Sequence, residues 1–207
     1  NPVNQNDEID FKELFENINQ TPEVISFSNS KTINNKGGHL QGVQLYRSES
    51  DEFAILSGSS STFSYYAVIK LSDGNKKVVT VKKLMEKPFK HAGGFQIFQN
   101  YLAVGIEDNK KRTQSRVCIY QLKANDFPSQ PLAEIKRNGK AERATAGCVA
   151  LTNYKGRALL AVGDWGTRHI DFYSCPFNQI AAGNFKPVST IDARECPKKN
   201  WINKEWH

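Results

Sequence analysis

Short apolar runs, separated by polar or glycine-bearing breaks, fill the stretch from His91 to Leu122. The runs are Phe95–Phe98, Tyr101–Gly105 and Val117–Leu122. Each run is too short for a helix and is rich in aromatic and β-branched residues, which is typical of strands. The stretch therefore predicts three consecutive β-strands.

Two other stretches of the chain repeat this pattern, at His39–Leu71 and Thr145–Cys175. A further strand is predicted after each of the three copies, at Val78–Leu84, Pro131–Arg137 and Phe185–Asp192. Units of four strands that recur three times predict an all-β protein.

The interval between the units is regular. A glycine of the first strand falls at Gly42, Gly94 and Gly147, which are 52 and then 53 residues apart. Units of about 40–50 residues with four strands each are typical of the blades of a β-propeller. A two-sheet sandwich of twelve strands is the alternative, but it does not explain the regular interval.

The second strand of a unit is almost continuously apolar, as in Leu102–Gly105 and Leu159–Gly163. Such a run predicts a strand that is buried on both faces between neighbouring blades. A glycine ends each second strand, at Gly58, Gly105 and Gly163. We expect these glycines to permit a turn conformation that a Cβ would oppose.

Residues 1–22 differ from the rest and predict a short N-terminal amphipathic helix, ahead of a propeller domain over residues 23–207. Apolar residues at i, i+3, i+4 and i+7 form one stripe of this helix, namely Phe11, Leu14, Phe15 and Ile18. The predicted N-cap is Asn6 or Asp7. A helix this short is not stable alone, so we expect its apolar stripe to pack on the body of the protein.

The number of predicted strands does not close a ring. Glu23–Ser28 predicts the outermost strand of a blade that lacks its other strands, and Lys198–His207 resembles the approach to another blade. Three complete blades and a spare strand are too few, since propellers have four to eight blades. We therefore expect a five- or six-bladed ring, which missing C-terminal blades or a second chain would complete.

The segment Asn100–Ile135 has an apolar strand, a turn, a Val-x-Ile strand at Val117, a polar loop with a proline, and a final strand. In this order of elements it resembles the repeats of bacterial extracytoplasmic β-propellers of the LVIVD type. The resemblance covers roughly residues 39–193. It implies the propeller fold, and it implies nothing specific about the ligand or the activity.

The net charge is +7, but the Lys and Arg residues are scattered through predicted turns. Because a nucleic-acid site needs its positive charges on one surface, we predict no nucleic-acid partner. No apolar run approaches the ~20 residues that a membrane-spanning helix needs, so no membrane span is predicted. The chain begins at Asn1 without a Met or a signal peptide, which favours removal of an upstream segment, on export or by design. We expect export, to the periplasm or outside the cell.

The four cysteines have no Cys-x-x-Cys spacing, which makes a zinc site improbable. Cys118 and Cys148 lie within apolar runs and are predicted to be small buried hydrophobic residues. Cys175 and Cys196 flank a predicted strand, and their spacing leaves open whether they form a disulfide.

Loops that start a first strand and loops between second and third strands lie on the same face of a propeller, where ligand sites of the fold class cluster. This topology predicts one polar loop face. Its predicted members are His39, Gln41, Ser59, Ser60, His91, Glu107, Asp108, Glu142, Arg143, Asp164, Trp165, Arg168, Trp206 and His207.

Three kinds of chemistry are compatible with this set. Imidazole and carboxylate groups are ligands for a divalent metal, the one cofactor that the sequence leaves open. Glu107 or Asp164, together with His91, are candidates for general acid and base catalysis. An indole ring can stack on a sugar, with Asp and Arg side chains as hydrogen-bonding groups. The candidate ligand-binding residues are His39, His91, Asp108, Arg143, Asp164, Trp165 and Arg168.

Three functions follow from these alternatives. The first is an exported binding module that recognises a glycan or a protein through the loop face. The second is a hydrolase or lyase that uses the same face, and the third is a scaffold within a larger secreted protein. No motif of a common catalytic class occurs in the sequence, which favours binding over catalysis. The same His and Asp residues also fit a structural role, in which they join adjacent blades through hydrogen bonds to the backbone.

Overall fold

The computed structural model describes residues 10–29, 31, 38–72, 74, 76–123 and 126–195. Its helix and strands, in chain order, are α1 (Phe11–Glu16), β1 (Leu40–Arg47), β2 (Glu52–Ser59), β3 (Phe63–Lys70), β4 (Lys77–Glu86), β5 (His91–Phe98), β6 (Tyr101–Glu107), β7 (Gln114–Gln121), β8 (Ala133–Asn138), β9 (Cys148–Tyr154), β10 (Arg157–Gly163), β11 (His169–Pro176) and β12 (Lys186–Asp192). No helix in these ranges is long and apolar enough to cross a lipid bilayer.

The strands form three antiparallel sheets of four, which we call the first (β1–β4), second (β5–β8) and third (β9–β12) sheets. Within each sheet the strands follow one another in chain order, so every connection is a hairpin. The prediction of an all-β protein with three units of four strands is confirmed. The described residues form three open sheets and no closed one, so the ring remains a prediction.

Two apolar cores hold the sheets together, one on each face of the second sheet. Strand β6 supplies both cores, because its side chains alternate between the two faces. Leu102, Val104 and Ile106 lie in the core shared with the first sheet, and Ala103 lies in the core shared with the third. All four are buried, as the continuous apolar run predicts.

The sheets approach one another most closely at their first strands, where polar contacts join them. The Gly94 amide donates a hydrogen bond of 3.0 Å to the Gly147 carbonyl oxygen, between the second and third sheets. The Ser57 hydroxyl donates one of 2.9 Å to the Gly93 carbonyl oxygen, between the first and second sheets. We call these two contact regions the sheet joints.

The glycines that end the second strands have a different role from the predicted one. None of the three has a positive φ. A Cβ at Gly105 would lie 2.2 Å from the carbonyl oxygen of Ala146, in the segment that leads into β9. At Gly58 and Gly163 a Cβ would meet a side chain of the same sheet. The glycines therefore permit close packing, and the expected turn conformation is wrong.

Helix α1 exists but differs from the prediction at both its cap and its packing. The N-cap is Asp10, whose Oδ1 accepts hydrogen bonds from the amides of Lys12 at 2.9 Å and Glu13 at 3.1 Å. The apolar stripe is exposed, with Phe11 and Phe15 about three-quarters accessible. The helix has only six residues and ends at Glu16, so Ile18 of the predicted stripe lies beyond it.

The predicted strand over residues 23–28 does not form. Only Ser28 pairs, in a parallel bridge to Lys77 of β4, with hydrogen bonds to the backbone of Lys76 and Val78 at 2.8 and 3.0 Å. The segment therefore contacts the first sheet at the edge of β4 and does not begin another sheet. The segment Lys198–His207 lies outside the described residues.

Two of the cysteine predictions can be compared with the structure. Cys118 is buried as predicted, whereas Cys148 is exposed, because it lies on the outer face of the third sheet. Burial raises the pKa of the Cys118 thiol to about 12. Cys175 is a buried free thiol, and Cys196 lies outside the described residues.

Candidate functional site

The predicted site residues gather at one edge of the three sheets. His91 begins β5 and pairs directly with Glu107, which ends β6. Trp165 follows the end of β10, and His39 precedes β1. Hairpin topology alone places the end of each second strand beside the start of its first strand.

Glu107 lies at the centre of this edge and is fully buried. Its Oε2 accepts a hydrogen bond of 2.7 Å from Nε1 of Trp165, and its Oε1 accepts one from the amide of Ala146. His91 Nε2 lies 4.0 Å from Oε2 of the same carboxylate. We call Glu107, His91, Trp165 and the Ala146 amide the Glu107 cluster; it joins the second sheet to the third.

Burial shifts the pKa values of the two titratable groups of this cluster in opposite directions. It raises the pKa of Glu107, although the hydrogen bonds from Ala146 and Trp165 and the charges of Arg137 and Arg112 oppose the shift. It also lowers the pKa of His91 to about 4, with smaller effects from His39 and Lys90. His91 is therefore neutral at pH 7, and its buried Nδ1 has no hydrogen-bond partner among the residues that the structure describes.

The first sheet adds exposed groups beside His91. The rings of His39 and His91 are 5.5 Å apart between centroids. The amide nitrogen of Gln41 lies 3.3 Å from Nε2 of His91 and also contacts Nε2 of His39. His39 and Gln41 are both exposed, whereas His91 is buried behind them.

Arg112 and Glu142 are contributed by loops of the second sheet, and Arg168 by the third. The guanidinium of Arg112 lies 4.2 Å above the ring of Trp165, a cation–π contact. Glu142 accepts a hydrogen bond of 3.1 Å from Arg112 on Oε1 and one of 3.2 Å from Arg168 on Oε2. The exposed or partly exposed side chains at this edge form what we call the polar face: His39, Gln41, Arg112, Glu142 and Arg168.

Arg112 is the member of this group that sequence reasoning missed. It lies in a charged loop that resembles an ordinary solvated turn. The loop lies between the second and third strands, in the same position as Trp165 in the third sheet. That position was the one signal that pointed to Arg112.

Asp164 and Asp108, two predicted ligand-binding residues, already accept hydrogen bonds from other residues of the protein. Asp164 accepts hydrogen bonds from the His169 amide at 2.9 Å and from its Nδ1 at 2.7 Å. Asp108 accepts from the amides of Lys110 and Lys111 and from the side chain of Gln114. Both carboxylates are buried and stabilise the loops that contain them.

Arg143 belongs to a separate ionic cluster beside the polar face. Its guanidinium donates hydrogen bonds of 2.6 and 2.5 Å to the two carboxylate oxygens of Asp171. Arg137, which is buried, donates one of 2.7 Å to the same carboxylate. Burial alone would raise the pKa of Asp171, but hydrogen bonds from Arg143, Thr190 and Arg137 hold it well below its usual range. This cluster joins β8 to β11, so it too connects the second and third sheets.

The sequence leaves a divalent metal open as a cofactor. Within the described ranges, no three His, Cys, Asp or Glu side chains are arranged to hold a metal ion. Trp206 and His207, the other predicted members of the loop face, lie outside the described residues.

Comparison of the chain with family models, with curated proteins and with solved structures finds no match.

Proposed function

We propose that this chain is a binding module built from blades of a β-propeller, and that its polar face recognises a glycan or a protein. One observation supports the proposal most directly. Side chains from all three sheets meet at a single edge, where His39, Gln41 and Arg168 are exposed while their neighbours are buried. Guanidinium, amide, imidazole and carboxylate groups together supply both donors and acceptors for a polar ligand.

The positions of the sheets support the propeller part of the proposal. Contacts between successive sheets are concentrated on the first strands, as is expected when blades radiate from a common axis. In such a ring the polar face lies beside the central channel. Export, to the periplasm or outside the cell, remains a prediction from the sequence.

The state of the carboxylates favours binding over catalysis. A general acid or base must come within hydrogen-bond reach of its substrate. Glu107 is fully buried and both of its oxygens already accept hydrogen bonds. Asp164 is equally engaged by His169. For the hydrolase or lyase alternative, the raised pKa of Glu107 beside His91 is the one favourable observation. Turnover of glycosides or esters that Glu107→Gln abolishes would favour that alternative.

Trp165 is less suited to stacking on a sugar than the sequence predicts. One face of its ring is covered by Arg112, and its Nε1 is bonded to Glu107. We therefore expect Arg168 and His39 to contact the ligand, and Trp165 to position Arg112.

The proposal is tested on a glycan array and by quantitative binding to extracellular protein fractions, followed by measurement of Kd for each ligand found. Arg168→Ala is expected to weaken binding at least tenfold, about 1.4 kcal/mol. The matched control is Arg47→Ala, an exposed arginine in an ion pair with Glu52 at the opposite end of β1. Equal affinity of Arg168→Ala, His39→Ala and the wild type for every ligand found would refute the polar face as the binding site.

A further inference from the structure

We infer that two copies of this chain join head to tail into a closed ring of six sheets. The inference rests on the propeller arrangement proposed above, but it does not depend on any ligand. Its basis is that the chain exposes both halves of a sheet joint, one half on the third sheet and the other on the first.

The two joints within the chain share one geometry. At the first joint, Oε1 of Gln44 accepts a hydrogen bond from the amide of Ile97. At the second, Oε1 of Gln96 accepts one of 2.6 Å from the amide of Leu151. In each case a side chain on the first strand of one sheet bonds to the backbone of the first strand of the next.

The strand register shows that these residues are equivalent. Gln44 pairs with Ile55, two residues before Ser57, which bonds to the next sheet. Gln96 pairs with Ala103, two residues before Gly105, which packs on the backbone of the next sheet. The first and second sheets therefore each have a face on which the following sheet docks, which we call the docking face.

The outer face of the third sheet has a pattern of side chains similar to that of the docking face of the second sheet. The strand pairings place residues of the third sheet at the same register positions as residues of the second. The equivalent pairs, third sheet first, are Ala150 and Gln96, Ala161 and Ala103, Gly163 and Gly105, Ile170 and Val117, and Ile191 and Ile135. The second-sheet face is covered by the third sheet, whereas Ala150 and Ile191 are exposed. On this face of the third sheet, Ala150 and Ile191 are thus open to solvent, and Ala161 and Ile170 are partly exposed.

The first sheet exposes the complementary half. Leu45 pairs with Ala54 and holds the register position of Leu151, and Val43 holds that of Val149. Val149 and Leu151 are 6% and 1% exposed because they pack against the preceding sheet, whereas Val43 and Leu45 are 67% and 56% exposed.

The exposed apolar side chains on this side of the first sheet lie on its first strand. Tyr65, Ala67 and Ile69 of β3 lie on the same side and are already buried. The first strand is also the part of a sheet that makes the backbone contacts at both internal joints. At the internal joints the preceding sheet also covers the second and third strands, as at Leu160 and Cys175. The open region on β1 is therefore the first-strand part of the surface that a preceding sheet would occupy.

A second copy of the chain fits both open faces. The third sheet of each copy would dock on the first sheet of the other, so a two-fold axis generates two identical joints. Head-to-tail contacts close into a ring when the rotation allows, and six blades lie within the range that propellers use. Leu45 of one copy then packs against Ala150 of the other, a large apolar side chain against a small one.

The test measures the mass of the full chain in solution, by light scattering after size exclusion and by native mass spectrometry. The wild type is expected at twice its chain mass of 23.3 kDa. Leu45→Glu alone and Ala150→Lys alone place a charge in the joint and are expected to raise the dimer dissociation constant at least tenfold. The double variant pairs the two charges across each joint and is expected to restore the dimer.

Both substituted positions are exposed within one chain, so each variant is expected to keep the circular dichroism spectrum of the wild type. The control is Val24→Glu, at an apolar residue that is 84% exposed outside the three sheets, and it is expected to remain dimeric. A wild type that is still monomeric at about 100 μM, well above the Kd of a micromolar dimer, would overturn the inference. A dimer that survives both single substitutions would also overturn it, as would a ring that forms only when a different polypeptide is added. Because the measurement is mass, a failed ring and a failed ligand site are distinguishable.

Discussion

Nε1 of Trp165 donates a hydrogen bond of 2.7 Å to Oε2 of Glu107, which joins the end of β10 to the end of β6. Trp165→Phe keeps most of the ring but removes this donor from a fully buried carboxylate. We expect the free energy of unfolding to fall by about 1–3 kcal/mol, measured by denaturant titration. In the background Glu107→Gln the same substitution should cost less, and equal costs in both backgrounds would contradict the coupling.

The pH dependence of stability should report His91. Its pKa in the folded protein, about 4, is below its ordinary value of 6.5, so the unfolded chain binds more protons between these values. The resulting stability is therefore present above pH 6.5 and is lost as the pH falls toward 4. At about 1.4 kcal/mol per pKa unit, the difference between 6.5 and 4 corresponds to a loss of about 3–4 kcal/mol.

His91→Gln should flatten this part of the profile, measured as the free energy of unfolding between pH 4 and 7. The control is His39→Gln, at an exposed neighbour, which should keep most of the slope because burial is the main cause of the His91 shift. An unchanged slope in His91→Gln would mean that another group titrates.

Asp171 should dominate stability at lower pH. Its pKa is held below the ordinary range, so its contribution is present above about pH 4 and is lost as the pH falls further. Asp171→Asn leaves Arg137 buried without its ionic partner and should cost about 3–5 kcal/mol at pH 7. Arg143→Gln removes the more exposed partner and should cost less. If Asp171→Asn unfolds with the same acid profile as the wild type, this assignment fails.

Gly105→Ala tests the close approach of the second and third sheets. The added Cβ would lie 2.2 Å from a backbone oxygen, so β9 must shift, at a cost of about 1–3 kcal/mol or more. Gly74→Ala is the matched control, since a Cβ there meets nothing within 4 Å and should change stability little. Thermal unfolding of the two variants in parallel gives the comparison, and equal melting temperatures would disprove tight packing at Gly105.

The strands were predictable from the sequence because the signal is local. Tyr101–Gly105 and Val117–Leu122 are apolar runs between turns. The first lies within the observed β6, and the second overlaps β7. The run at 23–28 has the same local signal, but only Ser28 finds a pairing partner. The prediction that Cys148 is buried was wrong for a related reason, because an apolar run does not show which face of a sheet is covered.

The gathering of His91, Glu107 and Trp165 was predictable from the period of the sequence, because equivalent loops meet at one edge. Their hydrogen-bond partners were not. Asp164 is occupied by His169, and Arg143 by Asp171, through contacts that depend on tertiary positions. Candidate ligand residues chosen by side-chain type alone therefore include several that stabilise loops and sheet joints.

The order of strands within each sheet has a consequence for how the protein opens. Each sheet consists only of sequence-adjacent hairpins, so it can lose its contacts with a neighbour without unthreading any other part of the chain. Where structural units contact only their neighbours, stability is close to a sum of unit and neighbour terms, and the end units separate first. In a separate monomer the third sheet is covered on one face only, so it would exchange its amide hydrogens before the second sheet, and the Glu107 cluster would come apart at the same step.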